Sequence, residues 1–158
     1  MIHKLICFLL IVLLGCSEAK DNDLARIKLK ELNDQPIDVS QYKGKTIFIN
    51  FWATWCKPCI QEMPTIERAQ DKLKDEDVIF LLASNDERDQ LEKFINRHSF
   101  NFHYVQLENL EELKIQALPT TFIFNREGKL KFSETGFRTW DDASSIELIN
   151  KILNDDEK

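Results

Sequence analysis

Cys56-Lys57-Pro58-Cys59 sets two thiols three residues apart at the head of a helix-forming run. On a helix, residues at this spacing share one face with Cβ atoms about 5–6 Å apart, so a disulfide can close or open after small local adjustment. Cys56 would sit at the helix N-terminus, where unpaired backbone N–H groups and the helix dipole favour thiolate over thiol, and Lys57 adds a positive charge beside it. Cys59, one turn further in, is the more buried partner. This is the pattern of a redox reagent. A permanent staple is the plain alternative, but so short a loop constrains the unfolded chain weakly and stabilises little.

The rest of the chain has to hold that helix terminus in place. Thr46–Trp52, just upstream, is β-branched and aromatic almost throughout, as a strand buried on both faces and central to a sheet should be. From Lys57 to about Lys74 the signals are helical, with Pro58 tolerated in the first turn and Pro64 expected to kink the interior. Val78–Ala83 reads as a second buried strand, Glu87–His98 as a helix through Leu91, Phe94 and Ile95, and Phe102–Val105 as a short strand. Leu110–Ile115 is expected to form a brief helix. Thr121–Asn125 and Leu130–Ser133 flank Arg126-Glu127-Gly128-Lys129, a hairpin with Gly in its loop, and a last helix covers about Asp141–Leu153. Upstream, Leu24–Leu32 suits an edge strand, Asn33-Asp34-Gln35-Pro36 a turn and Ile37–Val39 a returning strand, followed by a helical turn, Ser40–Lys45. The set predicts an α/β fold: a mixed central sheet with helices on both faces and an N-terminal β-hairpin extension.

The chain has 158 residues, 43% of them hydrophobic and 30% charged, enough for one domain with a sizeable core. Its formal net charge is −6 and no basic stripe runs through it, which argues against nucleic acid as a partner. Lys4 followed by the apolar run Leu5–Leu14 is too short to span a bilayer as a mature helix and reads as a leader. It ends in Leu13-Leu14-Gly15-Cys16, which resembles a bacterial lipobox. Residues 1–15 are then a lipoprotein signal peptide, Cys16 the lipidated residue, 16–23 a tether, 24–153 the folded domain and 154–158 a charged tail. Of the four cysteines, Cys7 leaves with the leader and Cys16 is used by lipid. Cys56 and Cys59 are left as the free pair, with no second C-x-x-C to complete a zinc ribbon.

Trp52-Ala53-Thr54-Trp55-Cys56-Lys57-Pro58-Cys59 at a strand-to-helix junction, with Leu118-Pro119-Thr120-Thr121-Phe122 some sixty residues later, resembles the thioredoxin superfamily. The nearest branch is that of the TlpA/ResA-like membrane-anchored thiol–disulfide oxidoreductases. The resemblance implies a thioredoxin-like fold, Cys56 as attacking nucleophile and Cys59 as resolving thiol. It implies a cis peptide before Pro119, whose backbone would dock substrate with Leu118 as a contact residue. Trp55, Lys57 and Pro58 complete the expected substrate-binding surface, and Trp52 shapes and shields the site. Thioredoxin itself carries a buried acid where this chain has Asn50, and an amide cannot titrate. Glu62, three residues beyond Cys59 on the same helix face, stands where ResA-like proteins carry an acid, and is expected to move the Cys59 proton. His98, His103 and the acidic group Glu108, Glu111, Glu112 read as ordinary surface or packing residues.

The function implied is an exported, lipid-anchored oxidoreductase on the periplasmic side of a bacterial membrane, with no cofactor beyond its thiols and no resident metal. It would exchange its disulfide with cysteines of exported proteins, apocytochrome c being one candidate. The reductive direction is favoured, with electrons from a membrane donor. The rival from another class is a Cu(I) metallochaperone holding the ion between the same two thiolates, although neither Met63 nor His98 has the spacing of a further ligand. Covalent haem attachment fails because Ile60, not His, follows Cys59.

Overall fold

Burial along one strand organises the molecule. In the computed structural model, which describes residues 23–155, β3 (Thr46–Phe51) is buried at every position. Its odd residues Ile47, Ile49 and Phe51 enter one apolar cluster, while Phe48 and the following Trp52 enter another, as the two-residue period of a strand requires. Parallel to β3 lies β4 (Val78–Ser84), and antiparallel on its other side lies β6 (Thr120–Phe124). The remaining strands are β1 (Leu29–Lys30), β2 (Pro36–Ile37), β5 (His103–Leu107) and β7 (Leu130–Thr135). Together they form one seven-stranded sheet in the order β2-β1-β5-β4-β3-β6-β7. Its middle is parallel and its flanks antiparallel, so the sheet is mixed.

Among the described residues, three α-helices complete the fold: α1 (Lys57–Lys72), α2 (Arg88–Arg97) and α3 (Ala143–Leu153). All three put buried apolar residues into the cluster shared by Phe48 and Trp52: Met63 and Ile66 of α1, Leu91 and Phe94 of α2, and Ile149 and Ile152 of α3. The opposite face is covered by two four-residue 3-10 helices, Asp23–Arg26 and Val39–Tyr42, and by Leu110, Leu113 and Ile115. Helices therefore stand on both faces as expected, but the α-helices stand on one.

The structure corrects two local expectations. The segment 24–32 is not one edge strand. Asp23–Arg26 is helical, and its start is held to the β6–β7 turn by the Leu24 N–H donating to the Gly128 carbonyl at 3.0 Å and by Asp23 Oδ2 accepting from the Leu130 N–H at 3.0 Å. The two residues left for β1 pair with β5 as well as β2, which makes β2 the sheet edge. The hairpin itself is present. The segment 110–115 makes turns rather than a helix: its N–H groups reach back mainly three residues, and Lys114 adopts φ 56°, a left-handed conformation that ends the run. Pro64 lies inside α1, which spans it as one helix. The last helix opens at Ala143 because the Asp142 carboxylate accepts the Ser145 N–H at 2.7 Å.

The leader, the Cys16 lipid site and the tether up to residue 22 lie outside the described residues, as do 156–158. No described helix is long and apolar enough to cross a membrane.

Candidate active site

The chain leaves β3 at Phe51, passes through buried Trp52 and Ala53, and turns into α1 at Cys56. The turn is pinned from the β4–α2 loop, where Asp86 Oδ2 accepts the Thr54 N–H at 2.6 Å. Cys56 is the N-cap, and its Sγ accepts the Cys59 N–H at 3.4 Å. The two cysteines form a disulfide across a Cα–Cα distance of 5.3 Å. Cys56 is 4% exposed and Cys59 fully buried, the asymmetry expected for an outer and an inner sulfur. The Cys59 N–H is thus a helix N-terminal amide aimed at Cys56 Sγ, the kind of donor that favours a thiolate.

The surroundings divide sharply by exposure. Trp55, 74% exposed, stands beside the disulfide with Lys57 and Pro58, also exposed. Trp52 belongs to the core instead, its ring 4.7 Å from that of Phe94 and 5.6 Å from that of Tyr104. The Leu118–Pro119 peptide is cis. Thr120 is registered opposite Phe51, so Pro119 lies at the thiol end of the sheet, and its carbonyl accepts the Gly136 N–H at 2.8 Å. Leu118 is half-buried between the two clusters.

Behind the disulfide, Glu62 is fully buried. Asn50 Nδ2 donates to its Oε1 at 2.6 Å and to Thr121 Oγ1 at 3.0 Å, while the backbone N–H of Arg138 donates to Oε2 at 3.1 Å. Burial pushes the Glu62 carboxyl up to about 7, against the opposing pull of the Arg138 and Asn50 donors. Trp140's indole N–H also favours the anion without a well-aligned hydrogen bond, and the nearby Glu134 carboxylate disfavours it. An acid that titrates near neutrality, one turn from a buried thiol, has the protonation behaviour needed to take and return a proton.

Other candidates stay apart from this centre. His98 stacks on Phe94 at 4.0 Å, His103 pairs with Glu31 at 3.0 Å, and Glu112 pairs with Lys28 at 3.1 Å. Met63 is buried in the core under α1. Among the described residues, no cluster of three His, Cys, Asp or Glu converges as for a metal ion.

The sequence reading passed over Asp86 and the whole segment Gly136–Trp140. That segment brings Phe137, 52% exposed, and Arg138 to the site. A lone Gly-Phe-Arg-Thr-Trp run between a strand and a helix, apolar where solvent is expected, was the available signal.

A family model for the AhpC/TSA family matches residues 21–133, well over half of the chain. The chain belongs to the AhpC/TSA family. Within it, the thiol-disulfide oxidoreductase ResA of Bacillus subtilis is 32% identical over 127 residues, covering 78% of this chain and 71% of that one. ResA of Geobacillus kaustophilus is 36% identical over 118 residues, covering 72% and 68%. Against other ResA relatives the chain spans less of their length, 60% for that of one Bacillus thuringiensis strain. The thioredoxin domain of a thiol-disulfide oxidoreductase from Bacteroides vulgatus superposes with a TM-score of 0.69 at 20% identity, over 84% of this chain and 97% of that one. A thiol:disulfide interchange protein from Chlorobium tepidum gives 0.66 at 20%, over 81% and 94%. The fold is thioredoxin-like, and this AhpC/TSA family member is a thiol-disulfide oxidoreductase related to ResA.

Proposed function

We propose that the protein is an exported, lipid-anchored reductant of disulfides in other extracytoplasmic proteins, with Cys56 as nucleophile, Cys59 as resolving thiol and Glu62 as proton acceptor. In the reduced protein the Cys56 thiolate attacks one sulfur of a target disulfide. An intermolecular Cys56–target bond forms, and the target's other sulfur leaves as a thiolate that takes a proton from water. Cys59 then gives its proton to Glu62 and attacks Cys56 Sγ. The second target thiolate departs, and the Cys56–Cys59 disulfide remains. Two electrons have passed to the target, and a membrane dithiol donor returns the protein to its reduced form.

The observation that carries this reading is the Cys56–Cys59 disulfide capping α1 with a buried acid, Glu62, one turn behind it. Trp55, Phe137 and Leu118, beside the cis Leu118–Pro119 peptide, supply apolar contacts for an extended cysteine-bearing segment, with Lys57 and Pro58 at its margin. Apocytochrome c, whose cysteines must be reduced before haem is attached, is one candidate target. The lipid anchor rests on Leu13-Leu14-Gly15-Cys16 and the polar stretch after it. Cys16→Ala should release the protein from the membrane fraction.

Cys59→Ser tests the mechanism, because it removes the resolving thiol and should freeze Cys56 in a mixed disulfide with its partner. Recovery of exported cysteine proteins by that bond is the expected result. No disulfide-linked partner, together with copurifying copper in the wild type, would instead favour the Cu(I) chaperone.

A further inference from the structure

Three backbone N–H groups of the short segment between β7 and α3 each end on the thiol site. Gly136 donates to the Pro119 carbonyl at 2.8 Å, Arg138 to Glu62 Oε2 at 3.1 Å and Trp140 to Thr65 Oγ1 at 3.0 Å. The Thr65 hydroxyl in turn donates to the Glu62 carbonyl at 2.8 Å. Gly136 adopts φ 111°, open to glycine, which lets the chain turn off β7 toward α1. No strand or helix pairing sets the register of this segment.

The Arg138 side chain ties it to α3 and β7, next to a bond from Ser145 Oγ to the Thr139 carbonyl at 2.9 Å. Its Nε donates to Ser145 Oγ of α3 at 2.8 Å, and its Nη1 to Glu134 Oε2 of β7 at 3.0 Å. The guanidinium lies 5.5 Å from the Phe132 ring centre and 5.3 Å from that of Trp140. A planar fork bonded at two corners and flanked by two aromatic rings has little freedom left. The guanidinium reaches Glu134 and Ser145; what reaches Glu62 is the main-chain N–H of the same residue.

We propose that Arg138 is a positioning residue for Glu62: its side chain locks the 136–140 segment so that its own backbone N–H stays on the buried carboxylate, and this sets the pH range in which exchange proceeds. The inference rests on the reading of Glu62 as the Cys59 proton acceptor. The groups facing Glu62 are Cys59 of its own helix, Asn50 of β3, Glu134 of β7, and Arg138 and Trp140 of the segment. Freeing the segment weakens the Arg138 N–H bond to Oε2, and deleting the guanidinium also removes the partner of the nearby Glu134 carboxylate. Both changes favour the protonated acid.

The test is a carbon-13 titration of the Glu62 carboxyl in the oxidised protein, where the cysteines do not titrate, alongside the pH profile of mixed-disulfide release in the reduced protein. In Arg138→Met the Glu62 midpoint should rise by about one pH unit, the order expected for losing one hydrogen bond to a charged group, and the release profile should move with it. Arg138→Lys, which keeps the charge and loses the fork, should recover only part of the shift. An unmoved midpoint in folded Arg138→Met overturns the role of Arg138 and leaves Glu62's role standing. A release profile that is the same in wild type and Glu62→Gln overturns the proton-acceptor reading, and the inference falls with it. Should Arg138→Met fail to fold, Ser145→Ala removes two ties on the segment, the acceptor of Arg138 Nε and the donor to the Thr139 carbonyl: a rise supports the locked segment and no rise overturns it.

Discussion

The two faces of β3 are built from the same alternating strand and do different work. Toward the 3-10 helices it presents Ile47, Ile49 and Phe51, which pack with Leu81, Ala83, Val105 and Phe124 in an apolar cluster. Toward the α-helices it presents Phe48, Asn50 and Trp52, and Asn50 opens a buried polar chain through Glu62, Thr65 and Thr121. Buried polar groups are tolerated when hydrogen-bonded and contribute less net stability than the apolar side chains they displace. The apolar layer secures the strand so that the layer behind the disulfide can carry a titratable acid.

The largest expected effect falls on the chemical side alone. Cys56→Ser should abolish reduction of a protein disulfide completely, while its stability changes by at most about 2 kcal/mol, because the lost loop is so short. Ile49→Ala should do the reverse: about 2–5 kcal/mol lost in urea unfolding, with the pH profile of exchange unchanged where the protein remains folded. Parallel loss of activity and stability in Ile49→Ala would break the division between the faces.

Glu62→Gln sharpens the comparison through pH. The folded protein holds the Glu62 proton up to about 7, whereas the unfolded chain releases it near the ordinary 4.5. The folded state thus binds more protons across that window. The contribution of this group is fully present below about 4.5 and is lost as pH rises through about 7, by up to about 3 kcal/mol. Denaturant melts from pH 4 to 8 should show this decline in the oxidised wild type and a flatter curve in Glu62→Gln. The smallest effect on stability belongs to Trp55→Ala and Phe137→Ala, within about 0.5 kcal/mol because both rings face solvent. Their signature is selective: slower exchange with protein disulfides and an unchanged rate with oxidised glutathione.

Much of this arrangement was legible in local sequence. The run Thr46–Trp52 announced a strand buried on both faces, and the three-residue step from Cys59 to Glu62 placed the acid on the inner helix face. The full burial of Glu62 was not legible, because the segment that covers it lies 76 residues away at Arg138. Likewise the apolar spacing of Leu110, Leu113 and Ile115 is satisfied by turns packed on the sheet, and nothing local separates that outcome from a helix. The position of β1 inside the sheet depends on its pairing with Leu107 and Gln106, a contact that two residues of strand cannot advertise.

Where the chain joins its domain has a practical consequence. Leu24 is fastened to Gly128, beside the end of β3 that starts at Thr46, whereas the disulfide follows the opposite end of that strand, about 20 Å away along six residues. A carrier protein, a resin or a biosensor surface coupled ahead of Asp23 would therefore meet the pole away from the sulfurs, leaving the reactive end open to macromolecules arriving from solution.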